Sequence, residues 1–163
     1  MERIIHPIEP VYNRDSKILV LGSFPSVKSR EQGFFYGHPQ NRFWRMIATI
    51  LGVDIPETVE EKRVLLLEHN IALWDVIASC DIEGSSDSSI RNVVANDISR
   101  IIDFANIQCI ICNGAKSYEL YQKHLEPAIS YKAVKLPSTS PANAAFTIDK
   151  LIDIWGKEIL KYR

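Results

Sequence analysis

Three short runs of mostly apolar residues recur along the chain, together with a fourth short segment in which lysines interrupt the apolar residues, and longer amphipathic or polar segments separate them. Runs of this length that are rich in aliphatic residues and bounded by turn formers predict buried strands. Strands that are apolar on both faces are typical of a parallel sheet whose two sides are covered by helices. The predicted strands are residues 17–22, 71–77, 107–114 and 131–137.

The segments between the strands carry the spacing of amphipathic helices. In the first of them, Phe43, Trp44, Ile47 and Leu51 fall on one side of a helix. Alternating strands and helices predict a three-layer α/β/α sandwich around a central four-stranded parallel sheet. Residues 80–97 are polar and rich in turn formers, which predicts an exposed connection. The predicted helices are residues 41–51, 56–69, 99–105, 115–124 and 144–162.

Length and composition predict a single domain over residues 1–163. Charges and two prolines interrupt residues 1–15, so this segment does not resemble a signal peptide, and no apolar run approaches the length of a membrane span. The chain has three cysteines, which is more typical of a reducing compartment than of a disulfide framework. We therefore expect a cytoplasmic enzyme or binding domain.

The net charge of −1 argues against a general nucleic-acid binder, which usually carries a basic excess. The local charge differs, because Lys28, Arg30, Arg42 and Arg45 cluster around one loop in which Glu31 is the only acid. Such a basic rim can hold a few phosphates. An ordinary solvated loop explains the same charges, and composition alone leaves both interpretations open.

Polar and turn-forming residues follow each predicted strand, in residues 22–41, from Asp75 onward, at 113–114 and in 136–144. Open parallel sheets bind their ligands outside the carboxyl ends of the strands. These four segments therefore predict one shared site at that edge of the sheet.

Several familiar motifs are incomplete. Cys109 and Cys112 have a Cys-x-x-Cys spacing, but an odd spacing within a strand directs their side chains to opposite faces. The fingerprints Gly-x-Gly-x-x-Gly and Walker Lys-Ser/Thr do not occur. Ser23, His38 and Asp75 could form a nucleophilic triad. The Gly-x-Ser-x-Gly elbow of such hydrolases is missing, and a serine hydrolase is the weakest alternative.

The motif GSFP at residues 22–25 and the segment GFFYGHPQNRFW at 33–44 resemble the first motif region of the uracil-DNA glycosylase superfamily. The second segment is similar to the bacterial mismatch-specific uracil glycosylases. Residues 73–93 and the segment LPSTSPANA at 136–144 most resemble a narrower branch, the hypoxanthine-DNA (deoxyinosine) glycosylases.

The resemblance implies a monofunctional DNA glycosylase of base excision repair. Such an enzyme hydrolyses the bond between deoxyribose C1′ and a base that has been flipped out of the helix. The expected partner is DNA containing deaminated bases, with hypoxanthine as the main substrate and uracil as the alternative. The resemblance further implies a monomer, a nucleoid-associated place in the cytoplasm, and no metal or organic cofactor. The other alternative is a catalytically weak protein that binds damaged DNA.

The catalytic position departs from the superfamily pattern. Relatives place a water-positioning Asp or Asn inside the Gly-x-x-Pro motif, where this chain has Ser23 and Phe24. By position, Ser23 is therefore a catalytic candidate and Phe24 a base-binding candidate. The resemblance to the deoxyinosine branch assigns the lost function to Asn41, whose amide can orient a water molecule. The alternative is a structural role, in which Asn41 caps a helix that begins at Arg42.

Two further residues are implied to contact the base. Tyr36 matches an aromatic that stacks on the extruded base in the mismatch-specific relatives, although packing within the loop is an alternative role. Asp75 replaces an Asn that reads the base edge. A carboxylate only accepts hydrogen bonds, so it would accept N1–H of hypoxanthine and reject adenine, whose N1 carries no proton. A structural bond to the serine-rich segment is the alternative role of Asp75.

Residues 138–143 occupy the place of the second superfamily motif. Ser138 stands where relatives carry a His or Asn that assists the departing base, so it is a base-binding candidate. Ser140 and Asn143 precede the last predicted helix and suit phosphate contacts. The remaining predicted DNA-binding residues are Lys28, Arg42 and Ser89.

Overall fold

The computed structural model describes residues 2–162. Its strands are β1 (Glu2–Ile5), β2 (Ile18–Gly22), β3 (Ile71–Asp75), β4 (Ile77–Ile82), β5 (Arg91–Ala95), β6 (Cys109–Asn113) and β7 (Val134–Leu136). Its α-helices are α1 (Val27–Gln32), α2 (Phe43–Leu51), α3 (Val59–Glu68), α4 (Ser99–Ile102), α5 (Ala115–His124), α6 (Glu126–Ile129) and α7 (Ile148–Ile159). No helix within residues 2–162 is long and apolar enough to cross a bilayer.

The predicted four-stranded parallel sheet is confirmed, with the strand order β3-β2-β6-β7. Every residue of β2 and β3 is buried, which explains their uninterrupted apolar runs. The register pairs Gly22 with Asp75 and Asn113 with Leu136. The carboxyl ends of all four strands therefore meet at one edge, as the sequence predicts.

A second sheet was not predicted. Strands β1, β4 and β5 form a three-stranded antiparallel sheet, so the expectation of an irregular connection over residues 80–97 is wrong where β4 and β5 run, although β5 is largely exposed as predicted. The predicted strand 71–77 also divides, since β3 ends at Asp75 and β4 begins at Ile77. Register irregularities within β4 break the period of two, leaving Ile77, Cys80 and Ile82 buried at uneven spacing.

Helices cover the parallel sheet in the predicted α/β/α arrangement. Helix α5 packs on β6 and β7, α3 lies beside β3, and α2 packs against α7, where the rings of Phe43 and Trp155 meet edge to face. The last helix begins at Ile148 rather than 144, because the Thr147 hydroxyl caps it by accepting a bond from the backbone N–H of Lys150. Cys80, Cys109 and Cys112 are buried free thiols.

Candidate active site

A cavity of about 320 Å³ opens at the carboxyl edge of the parallel sheet. This volume lies at the lower end of the range for small-ligand sites. Seven of the eleven predicted site residues line the cavity, and they come from β3, the loop after β2, the segment between α1 and α2, and the loop after β7. The seven are Ser23, Phe24, Tyr36, Asn41, Asp75, Ser138 and Ser140.

Asn41 lies on the cavity wall two residues before α2. Its Oδ1 accepts the backbone N–H of Phe43 at 2.9 Å and the hydroxyl of Thr139 at 2.9 Å. The helix begins at Phe43 and its N-cap residue is Arg42, one residue later than predicted, but Asn41 still accepts one of the free N–H groups at the start of α2 through a capping-type bond. Asn41 makes this bond and also lines the cavity, and its catalytic role stays a prediction.

Asp75 at the end of β3 forms a buried pair with His6. His6 Nε2 lies 2.7 Å from Asp75 Oδ2, and the two side chains are only 3% and 4% exposed. The backbone N–H of Ile8 donates to His6 Nδ1, so the ring hydrogen is on Nε2. Nε2–H therefore donates a hydrogen bond to the Asp75 carboxylate. His6, which sequence reasoning missed, therefore fixes the rotation of the Asp75 carboxylate.

The other oxygen of Asp75 lies against the backbone at Gly22. A Cβ atom on residue 22 would come within 2.4 Å of Asp75 Oδ1 and 3.2 Å of Tyr36 Oη. Only glycine leaves room for these groups to approach the end of β2. The close approach brings an acceptor and a phenol together on the cavity wall.

Tyr36 sits in the left-handed backbone region with φ 53°, and its ring stacks on Phe43 with a centroid separation of 4.3 Å. One ring face is thus occupied by protein, and a base would have to stack on the opposite face. Tyr36 Oη is buried without a hydrogen-bond partner among residues 2–162. Burial, and secondarily the charge of Asp75, raises the pKa of Tyr36, so the phenol keeps its proton.

The serine-rich segment contributes a carboxylate to the cavity that sequence reasoning also missed. Asp87 lies on the cavity wall, and its Oδ1 accepts a bond from the Ser23 hydroxyl at 3.3 Å. Desolvation of the carboxyl group raises the pKa of Asp87, while Ser23 and Lys116 act in the opposite direction. Within a segment of serines and turn formers, nothing in the sequence distinguishes Asp87 from a solvated acid.

Asn113 and Thr139 complete the wall beside Asn41. Asn113 ends β6, and Thr139 is fully buried in the loop after β7. The Thr139 backbone N–H donates to Asn113 Oδ1 at 3.0 Å, and Asn113 Nδ2 donates to Thr139 Oγ1 at 3.0 Å. The sequence places both residues at the correct edge of the sheet without indicating that they contact each other.

Arg42 does not line the cavity. Its guanidinium donates to the backbone carbonyl oxygens of Thr139, Ser140, Asn143 and Phe146 and so holds the loop after β7. This use of all three guanidinium nitrogens leaves the predicted phosphate contact without support in the structure.

The other three predicted DNA-binding residues also lie outside the cavity lining. Asn143 Nδ2 donates to the Ser138 carbonyl, and the Ser89 hydroxyl bonds within its own turn to Ser86 and Glu83. Lys28 pairs with Glu31 on the surface of α1. The structure thus brings together the predicted catalytic and base-binding residues, whereas most of the predicted phosphate contacts serve the loops that frame them.

Comparison with known proteins agrees with the family resemblance of the sequence motifs. The family model of the uracil DNA glycosylase superfamily matches residues 9–156. A hypoxanthine DNA glycosylase from Methanosarcina acetivorans is 37% identical over 139 residues, covering 84% of this chain and 87% of its own. One from Methanosarcina barkeri is 38% identical over 136 residues, covering 82% and 85%.

A solved structure shares the fold over nearly the whole chain. The solution NMR structure of a candidate uracil DNA glycosylase from Methanosarcina acetivorans superposes with a TM-score of 0.80 at 32% sequence identity, covering 96% of this chain and 97% of that one. The family match, the two relatives and the shared fold agree with the superfamily that the sequence motifs predict. This chain belongs to the uracil DNA glycosylase superfamily.

Proposed function

We propose that this protein is a DNA glycosylase that removes hypoxanthine from DNA. Water attacks C1′ of the flipped deoxyinosine as the bond from C1′ to the base breaks. The water oxygen stays on the sugar, one of its protons ends on the released hypoxanthine, and an abasic site remains. The relatives named hypoxanthine DNA glycosylase, at 37% and 38% identity, support this substrate.

The Asp75–His6 pair is the observation that carries the proposal. His6 occupies Oδ2, whereas Oδ1 lies beside Gly22 with no donor from residues 2–162 bonded to it, and both Asp75 and Gly22 line the cavity. Hypoxanthine presents N1–H to such an acceptor, whereas adenine presents an unprotonated N1. An unmade hydrogen bond at a buried group costs about 1–3 kcal/mol, which is roughly a 5- to 150-fold preference.

Two other groups on the cavity wall have roles in this proposal. Asn41 holds the attacking water, and the free face of Tyr36 receives the extruded base, since stacking on an aromatic ring contributes about 1–3 kcal/mol. That contribution offsets much of the few kcal/mol needed to extrude the nucleotide. Because Ser138 stands where relatives carry a His or Asn, departure of the base relies less on electrophilic assistance here.

Uracil is the second candidate substrate, and a specific observation favours it. Uracil presents N3–H, which satisfies the Asp75 acceptor as well as hypoxanthine N1–H does. The superfamily whose model matches residues 9–156 is named for uracil DNA glycosylase, which also supports this base as a substrate.

Four labelled oligonucleotides test the proposal, containing hypoxanthine or uracil, each single- and double-stranded. The protein is added at one tenth of the DNA concentration, and abasic sites are scored by hot-alkali cleavage. We expect hypoxanthine sites to be converted beyond one equivalent of protein, and Asn41→Ala to lose roughly 100-fold in rate. Thr49→Val, on the exposed side of α2, is the matched control and should keep full activity.

Release of uracil alone would contradict the proposed substrate. Binding of damaged DNA without release of any base would make the protein a lesion reader. Borohydride should trap no protein–DNA adduct, because attack by water leaves no Schiff base to reduce. A trapped adduct would contradict the hydrolytic step.

A further inference from the structure

Three side chains form a continuous hydrogen-bonded chain along one wall of the cavity. Asn113 Nδ2 donates to Thr139 Oγ1 at 3.0 Å, and Thr139 Oγ1 donates to Asn41 Oδ1 at 2.9 Å. All three residues line the cavity, and Thr139 is fully buried. They come from the end of β6, from the loop after β7 and from the segment just before α2, so the hydrogen-bonded chain joins three segments that are distant in sequence.

Backbone groups fix the direction of every bond in this chain. The Thr139 N–H can only donate, so the atom of Asn113 that receives it is the amide oxygen, and the NH₂ of Asn113 faces Thr139 Oγ1. Thr139 Oγ1 therefore accepts from Asn113 and directs its own hydrogen to Asn41. The N–H of Phe43 donates to the same oxygen of Asn41 at 2.9 Å.

These contacts occupy the acceptor oxygen of Asn41 and leave its NH₂ group to interact with a ligand in the cavity. Two donors occupy the two lone pairs of its Oδ1. Its Nδ2 has no protein partner among residues 2–162, and the residue lies on the cavity wall. A flipped amide would set the NH₂ against two donors and lose both bonds, at a cost of about 1–3 kcal/mol for each buried group left unsatisfied.

We propose that Thr139 and Asn113 are positioning residues that hold the Asn41 amide with its NH₂ toward the reacting nucleotide, so that Asn41 works as a hydrogen-bond donor. This inference rests on the proposed glycosylase function. The water accepts a bond from Nδ2–H and keeps a lone pair for C1′, and Asn41 takes no proton from it. The loop that carries Thr139 is itself held, since the backbone N–H and Nε of Arg42 both donate to the Thr139 carbonyl.

The test compares Thr139→Val, which keeps the shape and loses the hydroxyl, with Thr139→Ser, which keeps the hydroxyl. Single-turnover rates on hypoxanthine DNA are measured with saturating protein, together with DNA affinity. We expect Thr139→Val to lose about 10-fold in rate with unchanged affinity, which corresponds to one lost hydrogen bond. We expect Thr139→Ser to stay within about 3-fold of the wild-type protein.

Two further variants separate positioning from a merely structural role. In an Asn41→Ala background, Thr139→Val should slow the reaction no further, because the residue that it positions is gone. Asn41→Asp can accept the same two bonds but offers no N–H, so it should be as slow as Asn41→Ala. Wild-type activity of Asn41→Asp, or an undiminished effect of Thr139→Val in the double variant, would overturn the inference.

A readout independent of activity separates this inference from the proposed function. In NMR spectra of the free protein, the Asn41 side-chain NH₂ should give one sharp pair of signals. Thr139→Val should shift or double that pair, and Thr139→Ser should leave it in place. An unchanged pair in Thr139→Val would overturn the positioning role whatever the substrate. If the signals respond but the wild-type protein releases no base, the proposed function fails and the positioning of the amide stands.

Discussion

His6 Nε2 donates a hydrogen bond to Asp75 Oδ2 over 2.7 Å, and this bond joins the segment after β1 to the end of β3. Because the bond occupies one carboxylate oxygen and fixes its rotation, the other oxygen becomes a defined acceptor against Gly22. A histidine 69 residues away in sequence thus fixes the orientation of an aspartate on the cavity wall.

Asp75→Asn should remove the hydrogen-bond acceptor for hypoxanthine N1–H while keeping the shape of the site. The His6 donor selects the amide oxygen of the new side chain, which leaves NH₂ facing the cavity and opposing N1–H of hypoxanthine. We expect hypoxanthine release to fall roughly 5- to 150-fold in single-turnover assays, with Asp54→Asn, on the exposed surface, as the control. Unchanged release would show that Asp75 does not read the base.

Gly22→Ala should disrupt the site through one methyl group. A Cβ there would lie 2.4 Å from Asp75 Oδ1 in a fully buried strand, so the carboxylate must move. We expect loss of most hypoxanthine release and about 1–3 kcal/mol of stability, measured by urea unfolding. Gly156→Ala is the matched control, since its Cβ would meet only ordinary contact with Ile50 at 3.7 Å. Equal behaviour of the two variants would contradict this account of Gly22.

Arg42→Ala should loosen the loop after β7. The guanidinium holds four backbone carbonyl oxygens of residues 139–146, and their loss should cost about 2–3 kcal/mol of stability. Hydrogen exchange in residues 139–146 should accelerate, while Arg45→Ala, which removes an exposed charge from the same helix, should leave it unchanged. If Arg42→Ala instead weakens DNA binding and leaves hydrogen exchange unchanged, Arg42 contacts phosphate as the sequence predicts.

The three cysteines should be unreactive in the folded protein. Burial raises the pKa of Cys112 to about 12 and that of Cys109 to about 11, and it also raises the pKa of Cys80. A raised pKa keeps a thiol protonated at neutral pH, and the protonated form is a poor nucleophile. We expect almost no labelling by a disulfide reagent near pH 7 and three equivalents after denaturation. Rapid native labelling of any thiol would contradict this burial.

The sequence predicts the parallel sheet and the location of the site because both follow from local patterns. Strands buried on two faces leave continuous apolar runs, and Ser23 and Asp75 come directly after such runs. Ser138 follows the short, partly exposed β7, which turn formers mark in the sequence. The second sheet leaves no such pattern, since β1 is largely exposed and the pairing of β4 is irregular.

The residues that complete the site could not be predicted, because their roles depend on contacts between distant elements. His6 lies beyond an exposed strand, and Asp87 lies among serines typical of a solvated loop. Thr139 is an ordinary loop residue until the fold sets it between Asn113 and Asn41. Arg42 shows the opposite case, where a charge pattern favours a phosphate contact and the fold directs the guanidinium to its own backbone.

Identification of the released base tests the central claim most directly. Double-stranded DNA with a single hypoxanthine is incubated with substoichiometric protein, and the small-molecule fraction is analysed by mass spectrometry, with Asn41→Ala alongside. The account predicts free hypoxanthine in amounts exceeding the protein, equal to the number of abasic sites and nearly absent with Asn41→Ala. Bound DNA without any free base, or release that Asn41→Ala leaves unchanged, would contradict it.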